Sequence, residues 1–115
     1  MDLEFEKEWQ KTVKQLSSQF GEELDLKGIL FLIGVQELGK GRKVFSKDEK
    51  LGLIHIAVCL LLEDYGYYIY EGKDADSWPH WKSTEKLPSL KPLEQERLIK
   101  QAIVLYFQKN LTFEN

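Results

Sequence analysis

Three groups of residues are spaced in ways that could support chemistry. Asp74, Asp76 and His80, with Glu71 just upstream, gather carboxylates and an imidazole in one short stretch. Such pairs can pass protons to and from a reacting group. They also suit a turn, where aspartate hydrogen-bonds its own backbone. No nucleophile, oxyanion device or glycine-rich cradle accompanies them, so the turn reading is favoured and no catalytic residue is assigned. His55, Cys59 and Glu63 recur at every fourth position and would share one face of a helix. That set could ligate zinc. No second cysteine or histidine stands at metal spacing, so a hydrogen-bonded core histidine beside a small apolar cysteine is the simpler account, and no metal is expected.

The third group, Gly34 to Lys40, matches G-x-x-x-x-G-K, most of a phosphate-binding loop. The next residue is Gly41, where a hydroxyl should hold magnesium. A further run, Arg42 to Phe45, separates the motif from the next helix start, although the amides of a helix N-terminus should face the phosphate directly. Nucleotide hydrolysis is therefore not expected. Lys40, Arg42 and Lys43, with Lys47, still form a basic cluster beside a helix start, a candidate anion site. The alternative is a solvated connector.

Tyr65 to Trp81 holds six of the fourteen aromatic residues: Tyr65, Tyr67, Tyr68, Tyr70, Trp78 and Trp81. On a strand, Tyr68 and Tyr70 share one face, and Tyr67 and Ile69 share the other. Trp78 and Trp81 bracket Pro79 and His80, and Trp and Tyr are favoured interface anchors. Two roles are open. The insert lids the core, which is favoured, or it offers Tyr68, Tyr70, Trp78, His80 and Trp81 to a partner. Stacking on nucleic acid is opposed by Glu71, Asp74 and Asp76.

These groups depend on the elements that carry them. Leu3, Phe5, Trp9, Val13, Leu16 and Phe20 form one stripe of a helix over 3–20, with Asp2 as cap and Gly21 as stop. Asp25 opens a second helix over 26–38, apolar nearly all round and so central, in which Gly28 and Gly34 suggest close packing. Ser46 with Glu49 is a capping box for a third helix over 47–64, another core helix. Tyr67–Glu71 and Trp78–Lys82 read as strands around a turn at 72–77, with Pro79 restricting the second to an edge. Pro92 opens a fourth helix over 92–109, burying Leu93, Leu98, Ile99, Ala102, Ile103, Tyr106 and Phe107. The stretch Asn110–Asn115 should fray. The expected fold is mainly α: a compact four-helix domain, bundle-like, with a short hairpin insert at 65–91 between helices three and four.

Composition narrows the function classes. A chain of 115 residues is one domain of ordinary size. Its net charge of −3 provides no general field for nucleic acid. One cysteine rules out an internal disulfide. The opening M-D-L-E-F-E-K-E-W lacks the pattern of a signal peptide, and no apolar run approaches a membrane span. A soluble cytoplasmic protein is expected. Two core-like helices in a short chain leave apolar surface to cover, and a second copy could cover it as a homodimer.

The segments E-L-D-L-K-G-I-L-F-L-I-G-V-Q-E-L-G-K-G, F-S-K-D-E-K-L-G-L-I-H-I-A and W-P-H-W resemble a family of short bacterial proteins of unknown function. The resemblance covers Glu23 to Phe107. It implies a bacterial, cytoplasmic protein and supplies no catalytic residues. The expectation is a non-catalytic interaction or regulatory module without a cofactor, acting on an unidentified protein partner. The alternative is a small enzyme or ligand binder with a pocket under the hairpin near His80 and His55.

Overall fold

Capping residues mark where the helices begin and end. The computed structural model describes residues 3–41 and 43–114, so the expected Asp2 cap lies outside the described residues. Helix α1 spans Leu3–Phe20, α2 Leu26–Leu38, α3 Lys47–Glu63 and α4 Pro92–Glu114; strands β1 (Tyr68–Lys73) and β2 (Pro79–Ser83) lie between α3 and α4. The fold is mainly α with one antiparallel hairpin. No helix among the described residues is long and apolar enough to cross a membrane. By its internal contacts the chain divides into two compact units, Met1–Leu26 with Leu90–Asn115, and Lys27–Ser89.

In the first unit α1 packs on α4. The expected stripe on α1 is only partly covered. Trp9 and Leu16 are buried, but Leu3 and Phe20 at its ends are exposed, and Thr12 is buried in their place. Thr12 tolerates this because its hydroxyl donates to the Glu8 carbonyl at 3.0 Å. Lys100 lies over the Trp9 ring and Arg97 over Phe5, at 5.4 and 5.1 Å. Helix α1 ends as expected at Gly21, where the amide of Glu22 reaches the Ser17 carbonyl and that of Gly21 the Ser18 carbonyl.

Helix α4 starts at Pro92, and the Glu94 carboxylate reaches back to the Lys91 amide at 3.0 Å. Ile99, Ala102 and Ile103 are buried as expected, joined by Val104. Leu93 is a correction. It is 80% exposed, because it sits in the first turn, where every residue from Pro92 to Arg97 is exposed before the buried stretch begins. The helix also continues to Glu114, beyond the expected end at Lys109.

In the second unit α2 and α3 meet backbone to backbone. A Cβ at residue 34 would run into the Leu53 carbonyl, so Gly34 is there for close approach. Leu53 is fully buried and forms a core with Leu38, Phe45 and Ile56, against which Phe31, Val35, Trp78 and Trp81 pack. The connector feeding α3 ends in the expected capping box. Ser46 Oγ accepts from the Glu49 amide at 3.1 Å, and the Glu49 carboxylate accepts from the Ser46 amide at 2.9 Å.

Candidate functional site

The hairpin is sewn to the end of α3 by one residue. The Thr84 hydroxyl donates to the Gly66 carbonyl at 2.6 Å, and the Thr84 amide to the Tyr67 carbonyl at 3.0 Å. From there Tyr68 faces Ser83, Ile69 faces Lys82 and Tyr70 faces Trp81, and then the register slips: Gly72 faces His80. Glu71 is the extra residue of a β-bulge. Gly72 was expected in the turn but belongs to the strand, where its φ of 104° accommodates the bulge. The loop that follows is built on Asp74. Its Oδ1 accepts from the amides of Asp76 and Trp78 at 2.9 and 3.0 Å, and its Oδ2 bonds His80 Nε2 at 2.8 Å. Lys40 Nζ donates to the Asp76 carbonyl at 2.6 Å, tying the loop to the end of α2.

The structure sorts the five candidate binding residues into two sets. Trp78 and Trp81 turn inward onto the core of Leu38, Phe45, Leu53 and Ile56, and Trp78 lies over Gly52. Tyr68 is half-buried, edge-on to His55 with ring centroids 6.4 Å apart. These three anchor the hairpin. Tyr70, stacked edge-on to Trp81 at 5.2 Å, is nevertheless 44% exposed, and His80 is exposed on the opposite face. Tyr68 and Tyr70 share a face as expected, but the environment along that face grades from covered to open. Sequence reasoning missed Ile69, which is 61% exposed between the two tyrosines. The available signal was its alternation with Tyr68 and Tyr70, which puts it opposite Lys82 on the face turned away from Trp81.

Asp74 and His80 are engaged in structure, whereas the indole Nε1 of Trp81 is buried without a hydrogen-bond partner among the described residues. The bonds from His80 first, then from the Trp78 and Asp76 amides, hold the Asp74 carboxyl below its ordinary range. Asp74 is therefore an acceptor that nucleates the loop, in keeping with the turn reading. His80 at the loop and His55 beside Tyr68 lie at opposite ends of the hairpin.

His55 corrects the expectation of a core histidine. It is exposed on α3, its Nε2 3.5 Å from the Cys59 sulfur. Cys59 is the buried member, and burial pushes its thiol up to about 11. A thiol so held stays protonated and is a poor nucleophile and metal ligand. Burial, with Cys59 adding to it, also raises the Tyr68 phenol. No group of three or more metal-binding side chains forms among the described residues.

The basic cluster at 40–47 is also occupied. Lys40 holds the hairpin loop, and Lys43 lies 3.8 Å from Glu49 and over the Phe45 ring. Glu49 is held below the ordinary range by the Ser46 amide first. At the start of α3 the Glu49 amide is already capped by Ser46. Arg42 lies outside the described residues.

No protein-family model, curated protein or solved structure matches this chain.

Proposed function

We propose that this chain is a small non-catalytic interaction module, and that the outward part of the hairpin, Ile69 and Tyr70 with His80 at its margin, contacts a protein partner. One observation carries the reading: two large apolar side chains are left open on a hairpin whose Trp78 and Trp81 are anchored to the core. Exposed apolar groups on a rigid support are what an interface requires. The alternative of a pocket under the hairpin draws no support from this geometry, because Trp78 and Trp81 pack against the core there. The test is affinity capture with wild type and with Ile69→Ser/Tyr70→Ser, after thermal melts show both folded. Selective loss of captured partners supports the reading, and identical partner profiles overturn it.

A further inference from the structure

Antiparallel ladders alternate between residues that bond their neighbour and residues whose backbone turns away. The Thr84 amide donates to the Tyr67 carbonyl, so Tyr67–Thr84 is a bonded pair and Ile69–Lys82 is the next. The amides and carbonyls of Tyr68 and Tyr70 therefore point away from β2. The sheet among the described residues has only these two strands, so no strand pairs with that edge.

The two edges of the hairpin differ. The β2 edge carries Pro79 and Lys82, residues that discourage further pairing. The β1 edge, before its bulge, carries Tyr68, Ile69 and Tyr70, with two of these exposed.

We infer that the β1 edge pairs with the β1 edge of a second copy of this chain, antiparallel and centred on Ile69, making a four-stranded sheet. This rests on the interaction reading above and names the partner. In that register Tyr68 of each chain bonds Tyr70 of the other, and the two Ile69 side chains lie side by side. Glu71 falls opposite Tyr67, so no like charges meet. Centring on Tyr70 would set Ile69 against Glu71. Centring on Tyr68 would run the pairing into Gly66, which has a φ of 79° at the end of α3. The Ile69 register alone keeps the pairing within the extended stretch and covers both exposed apolar side chains.

The test has three arms. Light scattering of wild type should give twice the 13.5 kDa of a single chain, and Tyr70→Pro, which removes an outward amide without touching the bonds to β2, should give a single chain. In amide exchange followed by NMR, Tyr68 and Tyr70 should become protected as concentration rises, whereas Ile69 should be protected throughout. Under mild oxidation Ile69→Cys should form a covalent dimer, because residues facing each other across an unbonded pair stand within disulfide reach. Tyr70→Cys, facing Tyr68 of the other copy, should not. A wild-type monomer at millimolar concentration overturns the inference, as does a dimer that survives Tyr70→Pro or leaves Ile69→Cys uncross-linked. If the Tyr68 and Tyr70 amides become protected only on adding a different protein, self-pairing falls and the interaction reading stands. If hairpin substitutions change neither self-association nor captured partners, both fall.

Discussion

The α2–α3 contact and the exposed part of the hairpin draw on the same kinds of residue and treat them in opposite ways. At the helix contact, Gly34 meets the Leu53 backbone so closely that a methyl group has no room. On the hairpin, Ile69 and Tyr70 stand open although Trp81, on the neighbouring strand, packs on the core. The first region is dictated by packing and tolerates nothing. The second is held by its tryptophans and leaves Ile69 on one face and much of Tyr70 on the other open to solvent. Apolar content alone does not separate a region that serves the fold from one available for recognition. Tolerance does.

That contrast can be broken or sharpened in order of effect. Gly34→Ala should be the most damaging, costing about 3 kcal/mol by denaturant melts, because backbone must move to admit the Cβ. A loss within a few tenths would mean that the helices can slide apart and that the contact is not rigid. Trp81→Ala should cost about 3 kcal/mol or somewhat less, since the ring is only partly buried while its loss uncovers Leu53 and Ile56. Ser46→Ala should cost about 1 kcal/mol through the lost cap of α3.

Acid should act on the same framework. Glu49 and Asp74 both titrate below their ordinary range when folded. The stability each adds is therefore complete only above its unfolded value, about pH 5 and higher for the pair, and is lost as pH falls through the depressed folded values. Asp74→Asn should flatten the hairpin's share of that acid loss, seen as His80 and Trp78 resonances that stop shifting with pH in this range. Ile69→Ser should change stability by no more than about 0.5 kcal/mol, the behaviour of a surface site. A larger loss would place Ile69 with the framework and dissolve the contrast.

The helices were legible in the sequence because their ends are written in local chemistry. Ser46 with Glu49, Pro92 and Gly21 each act within a few residues of where they stand. The hairpin was legible as an insert but not in detail. Glycine in a strand and glycine in a turn look alike locally, so Gly72 was read as turn while it serves the bulge. Periodicity told which face of α1 is apolar, but not how far the cover extends, and Leu3 and Phe20 fell outside it. The candidate site was the least legible part. Whether Trp78 points in and Ile69 out depends on Gly52 and Leu53, supplied by another element. His55 illustrates the same point: its apolar neighbours in sequence suggested burial, yet the helix turns it outward and buries Cys59 instead.

Cys59 carries a consequence for time rather than structure. It is the sole cysteine, it has no exposed surface, and its thiol is protonated at ordinary pH. A thiol reagent can meet it only during an excursion in which the surrounding fold opens. Its labelling half-life in the unaltered chain is thus a clock for those openings, and it keeps time without any probe being introduced.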